Sequence, residues 1–264
     1  MPRYKLTIEF DGTDFAGWQR QGNGPSIQQS LEEALARLGQ EEPRVAGAGR
    51  TDAGVHALGQ VAHVDLDREW AGWRLKEAIN GQLAPAPIAV LDAEAVDDRF
   101  DARRSAVMRW YVYRVVNRRA PLTLERDRAW RLKRELDVEA MAEAAKALIG
   151  RHDFTTFRDV QCQANSPVRT LSRLDITRDG ERIAFSVAAL SFLHRQVRSM
   201  VGSLVEVGLG RWTPADLEAA LEAADRSRCG HVAPACGLYL ARVDYAAGKP
   251  GGSAGVASSP RPSF

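Results

Sequence analysis

Residues 47–57, GAGRTDAGVHA, place Arg50 two positions before Asp52 among three glycines, with His56 four positions further on. Glycine loses more freedom on folding than any other residue and offers no side chain to pack, so a cluster of it marks a turn or a close approach to the main chain. A lone carboxylate held on such a loop can act as nucleophile or base once ionised, and a neighbouring guanidinium favours the ionised form. That chemistry suits an isomerisation without any cofactor, because the atoms that leave are the atoms that return. A surface turn, with Asp52 bonding its own backbone and Arg50 in water, fits the same eleven residues, and short motifs often match by chance.

Other chemistries find less support. His56 and His63 lie near Asp52 and Asp65, which makes a metal-dependent phosphoesterase conceivable. Strand alternation points His63 and Asp65 to one side but gives no reason for His56 to join them. His152, His194 and His231 are scattered, and no metal is expected. Cys162, Cys229 and Cys236 form an odd set without a C-x-x-C pair, against both a disulfide framework and a zinc site. Phosphate-binding glycine loops and the G-x-S-x-G serine motif are absent, so neither a nucleotide cofactor nor a serine nucleophile is indicated.

The charge is unevenly spread. The net value is +2, yet Arg99 to Arg134 holds twelve Lys or Arg against three Asp or Glu, giving +9 there and −7 elsewhere. Trp110, Tyr111, Tyr113 and Trp130 interleave with these cations. A basic stretch mixed with aromatics suits a phosphate backbone and exposed bases. The arginine bias itself decides nothing, since arginine outnumbers lysine 31 to 5 throughout. No apolar run approaches a membrane span and the N-terminus alternates instead of forming a leader, so a cytoplasmic protein with no membrane partner is expected.

These residues need elements to hold them. RYKLTIEF puts Tyr4, Leu6, Ile8 and Phe10 on one side of a strand and Lys5, Thr7 and Glu9 on the other. Ser26 and Gln29 have capping-box spacing before a helical stripe of Ile27, Leu31, Ala34, Leu35 and Leu38. Strands follow at 44–48 and 60–66 and a helix near 70–80, so the glycine loop joins two strands. The second half runs through a strand at MRWYVYRVVN, a helix over 137–149 and a hairpin turning at Asp179-Gly180. A long helix over 192–207 has Leu193, Val197, Met200, Val201, Leu204 and Val205 on its apolar face, with His194 and Arg198 one turn apart beside it. Thr213-Pro214 caps a further helix, and GLYLARVDY returns as a strand. The reading is α+β: a lobe over 1–100 carrying the loop, a similar lobe over 101–245, and a disordered Gly-, Ala-, Ser- and Pro-rich tail over 246–264.

Six blocks, in order, carry a resemblance. GRTDAGVHALGQV resembles the catalytic-loop signature of the TruA family of tRNA pseudouridine synthases, and EFDGTDFAGWQRQ, FDARRSAVMRWYVYRVVN, DFTTFRDVQCQANSPVRTL, SFLHRQVRSMVGSLVEVG and APACGLYLARVDY resemble further blocks of it, from about Tyr4 to Tyr245. The resemblance implies two similar lobes with a shared, mainly antiparallel sheet flanked by helices and a basic central cleft. It implies isomerisation of uridine to pseudouridine at positions 38, 39 and 40 of the tRNA anticodon stem-loop, by a homodimer without cofactor. Asp52 matches the catalytic aspartate, the nucleophile, and Arg50 the arginine that occupies the space left by the flipped base. Tyr111 matches the residue lying against the target uracil, with Tyr113 on the same strand face in support. Arg198, in QVRSMVG, matches the basic partner of the aspartate. Two positions depart from the family pattern: Ser199 stands where asparagine is common, and Trp110 where a basic residue is. A noncatalytic protein gripping structured RNA through the same basic belt is the alternative reading.

Overall fold

The structure, a computed structural model, describes residues 1–22 and 24–246. Along the chain run β1 (Arg3–Phe10), α1 (Ile27–Arg37), β2 (Ala46–Gly47), β3 (His56–Asp65), α2 (Gly72–Leu83), β4 (Ile88–Val96), β5 (Ala106–Asn117), β6 (Trp130–Leu132) and α3 (Val138–Ala145). There follow β7 (Gly150–Asp153), β8 (Val168–Asp179), β9 (Arg182–Ala189), α4 (Gln196–Gly208), α5 (Pro214–Glu222) and β10 (Leu238–Tyr245). Two compact units divide the described residues: Met1–Arg109 with Tyr239–Ala246, and Trp110–Leu238. The expected tail lies, apart from Ala246, outside the described residues.

In the first unit β1 is central, antiparallel to β3 on one side and β4 on the other, while β10 joins β3 in parallel at Tyr239 and His56. Tyr4, Leu6, Ile8 and Phe10 are buried as their alternation requires. Lys5, on the other side, is buried too, pairing with Glu94 at 2.5 Å and lying 5.4 Å from the centre of the Tyr245 ring. The polar face of β1 is thus partly covered, which its period of two could not show. Ser26 caps α1 by accepting the Gln29 N–H, but the Gln29 side chain bonds Glu33 instead of returning to Ser26, so only half of the capping box forms. The strand β4 has no counterpart in the sequence reading. Its inward residues, Ile88, Val90 and Ala93, are unevenly spaced because the register against β1 shifts between Thr7 and Ile8; one extra residue destroys the period of two that betrays a strand.

The second unit contains the antiparallel strands β7, β8 and β9, with β5 beside β9 and a short β6 parallel to β5. The β8–β9 hairpin pairs Asp179 with Arg182, so its turn is Gly180-Glu181, one residue beyond the sequence expectation. The helix expected over 137–149 is α3 followed by a tight turn at Lys146–Leu148. In α5 both arms of the Thr213–Asp216 capping box form, with Pro214 in the first turn. The long helix differs most from expectation. Arg195 sits at φ 57°, a left-handed conformation that a right-handed helix cannot include, so α4 begins at Gln196 and His194 lies outside it. Within α4 only Arg198 and Glu206 escape burial. Ser199, Gly202 and Ser203 let neighbouring chain approach the side opposite the apolar stripe; a Cβ on Gly202 would stand 1.5 Å from the His231 carbonyl oxygen.

Candidate active site: the loop between β2 and β3

The loop joining β2 to β3 is held through backbone groups of Ala48, Gly49, Thr51, Asp52, Gly54 and Val55. The Trp18 ring, 2% exposed, lies directly on Gly47, where a Cβ would stand 2.5 Å from the indole. The Ala48 N–H donates to the Val61 carbonyl at 2.7 Å. The Ala48 carbonyl accepts two N–H groups of Arg109, at 2.7 and 3.1 Å, and the Gly49 carbonyl accepts the side-chain amide of Gln60 at 2.8 Å. Further along, Trp18 N–H donates to the Thr51 carbonyl, Val55 N–H to the Asp52 carbonyl and Gly54 N–H to the Phe15 carbonyl. Gly17, at φ 110°, passes so close beneath that a Cβ on it would lie 2.5 Å from the Thr51 carbonyl oxygen. Of the loop's own glycines, Gly47 makes room for the Trp18 ring and Gly54 takes φ 74°, whereas a Cβ on Gly49 would meet nothing nearer than Arg109 Nε at 3.8 Å; a freely solvated turn does not describe this loop.

From that frame Arg50 is exposed and Asp52 half-buried, while Thr51 between them is buried. Both predicted side chains thus stand on one braced segment of the first unit. His56, at the start of β3, is buried, accepts the Gly12 N–H at 3.0 Å and stacks on Tyr239 with ring centres 4.7 Å apart. It fixes the far end of the loop. His63 and Asp65 do share a strand side, but His63 accepts the Ala102 N–H at 3.0 Å whereas Asp65 pairs with Arg3 through two contacts of 2.7 Å. That pair holds the Asp65 carboxyl below the usual carboxylate range, the Arg3 hydrogen bond being the leading cause.

Arg109 departs most clearly from the use that the charge of its window suggests. It belongs to the basic window and so reads as a phosphate contact, yet it is 8% exposed and its guanidinium faces carbonyls, those of Ala48 and Arg103. Arg103 and Arg104 remain exposed. Trp18 and Gln60, which lie under the loop, are announced in the sequence only by a tryptophan within DFAGWQ and a glutamine within an apolar strand.

The other two predicted residues belong to the second unit. Tyr111, on β5, is 8% exposed and meets Phe192 edge-on at 5.2 Å between ring centres. Tyr113 is fully buried and donates its hydroxyl to the Pro234 carbonyl at 2.8 Å; burial pushes its phenol well above the usual range. Arg198, half-buried on α4, donates Nε to the Ala233 carbonyl at 2.8 Å, and the Ala233 N–H donates to the Arg198 carbonyl at 3.1 Å. The departure at Ser199 is internal: its hydroxyl accepts from Arg226, which also donates to the Thr156 carbonyl. At the other departure, the Arg173 guanidinium lies 6.0 Å from the centre of the Trp110 ring. Beside α4, burial raises the Asp159 carboxyl, but the Gln161 N–H and the charges of Arg195, His194 and Arg226 outweigh it and hold Asp159 low.

Comparison with known proteins identifies the chain. A family model described as tRNA pseudouridine synthase matches residues 6–103 and 144–246. A relative from Afipia carboxidovorans, named tRNA pseudouridine synthase A, is 61% identical over 245 residues, covering 93% of this chain and 100% of its own. Relatives of the same name from Xanthobacter autotrophicus and Brucella ovis are 60% and 56% identical, each over 93% of this chain and 100% and 99% of their own. No helix among the described residues is long and apolar enough to cross a membrane. The chain belongs to the tRNA pseudouridine synthase family, isomerases of uridine in tRNA.

Proposed function

We propose that this synthase acts on the anticodon stem-loop, at positions 38, 39 and 40, and that Asp52 begins the reaction. The observation that carries the reading is the braced loop, which offers one half-buried carboxylate beside one exposed arginine. The isomerisation breaks the bond from C1′ to N1 of uracil and makes one from C1′ to C5; C5 gives up its proton and N1 gains one. No electrons are exchanged with an outside reagent, so the chain's own groups suffice without a cofactor. Asp52 acts as nucleophile, Arg50 fills the space left by the extruded base, and Tyr111 lies against the target uracil. Arg198 is the basic partner of that carboxylate, as the family resemblance implies. Extrusion costs a few kcal/mol of unstacking, less at a loop or stem end. The working form is a homodimer in the cytoplasm, as the family resemblance suggests.

The test is Asp52→Asn, which keeps the shape and removes the charge. Pseudouridine formation in unmodified tRNA should vanish while tRNA binding persists. Appreciable turnover by the purified variant would remove Asp52 from the reaction.

A further inference from the structure

We infer that Arg109 and Gln60 are positioning residues for catalysis, clamping the consecutive carbonyls of Ala48 and Gly49 so that Arg50 and Asp52 leave the loop at a fixed height. The inference rests on the reading of Asp52 as the reacting carboxylate. Both side chains are buried, at 8% and 0% exposure. Arg109 uses Nε and Nη2 together on Ala48, at 3.1 and 2.7 Å, and Nη2 also reaches the Arg103 carbonyl at 2.8 Å. Gln60 gives its amide N–H to Gly49 at 2.8 Å, while its own oxygen accepts the Val61 N–H at 3.2 Å, which fixes the amide's orientation. These carbonyls belong to the two residues immediately before Arg50. A carbonyl held by a planar guanidinium fork cannot tilt without breaking two donors at once.

This role differs from the one that the charge of Arg109 suggests. A phosphate contact would act on tRNA affinity and its salt dependence. A clamp acts on the placement of the reacting group, where a displacement of about 1 Å costs roughly 100-fold in rate. Lysine separates the two, because it keeps the charge but lacks the fork that joins Ala48 to Arg103.

The experiment uses the full chain with Arg109→Lys and Gln60→Met, the second removing a neutral donor without burying an ammonium, should the first fail to fold. Three quantities are read: amide hydrogen exchange over residues 47–53, affinity for unmodified tRNA, and the single-turnover rate with enzyme in excess. Exchange over 47–53 should quicken in each folded variant and affinity should hold. The rate should fall about 100-fold. Unchanged exchange overturns the clamp, and so does quicker exchange with an unchanged rate. Weaker tRNA binding with an unchanged rate on bound tRNA overturns it in favour of a phosphate contact. Asp52→Asn, run in parallel, keeps the two ideas apart: turnover by that variant removes the carboxylate reading, whereas exchange still reports whether the carbonyls are held.

Discussion

Gly17→Ala should damage the reaction from outside the loop. Gly17 sits at φ 110°, where a side chain is strained, and an added Cβ would lie 2.5 Å from the Thr51 carbonyl oxygen, 3.1 Å from the Asp52 carbonyl carbon and 3.2 Å from the Ala53 nitrogen. Ordinary contact begins at 3.4 Å, so the segment bearing Asp52 must retreat by about 0.9 Å, all three neighbours being backbone. Gly39→Ala is the control: φ is 86°, but nothing lies within 4 Å of the new Cβ. Backbone strain costs each variant about 1–3 kcal/mol. Overpacking adds about 1–3 kcal/mol in Gly17→Ala alone. At about 2–4 °C per kcal/mol, thermal unfolding separates them. The rate separates them further: at a temperature where both are folded, Gly17→Ala should lose roughly 100-fold in single turnover and Gly39→Ala should keep the wild-type rate. Equal stabilities with equal rates would show that the chain below the loop does not set the position of Asp52.

Two other outcomes are expected. Arg103→Ala and Arg104→Ala, both at exposed positions, should each lower the log-log salt slope of tRNA binding by about 0.7–0.9, measured by titration at several salt concentrations; an unchanged slope means that those cations face solvent only. His63 accepts the Ala102 N–H on its unprotonated Nδ1, and burial first, then Arg3, lowers its pKa against the pull of Asp101 and Asp65. The unfolded chain therefore takes up this proton near about pH 6.5 and the folded chain only below it, so the stability that His63 contributes is complete above that pH and is lost as pH falls through it. His63→Asn should flatten this part of the thermal-unfolding profile, and a profile parallel to wild type would remove His63 as its source.

What the sequence revealed follows from the range of each interaction. The cap at Thr213 and Asp216 closes within four residues, so the residue types announce it and the structure forms it. Helix α4 begins four residues later than its apolar pattern suggests because Arg195 turns left-handed, and no period of 3.6 records a single dihedral. Strand β4 escaped because its bulge is a property of pairing with β1, residues far away in sequence. The loop was conspicuous through its glycines, whereas Tyr111 and Arg198 read as a core aromatic and a helix-margin charge until the family blocks assigned them roles.

The basic window shows most sharply how composition and use diverge. Its excess charge reads as one footprint, but Arg99 pairs with Asp97, Arg118 with Glu181, and Arg131 donates to the Arg119 carbonyl. Arg109 turns inward altogether. The turn that makes this possible is built by Asp101, whose Oδ1 accepts the backbone N–H groups of both Arg103 and Arg104 at 2.8 Å. That turn directs the Arg103 carbonyl to the Arg109 guanidinium while leaving the Arg103 and Arg104 side chains exposed. One short segment therefore presents cations outward and ties the loop between β2 and β3 inward. Neutralising its surface charges and cutting its backbone tie are separable perturbations, the first read in affinity and the second in rate.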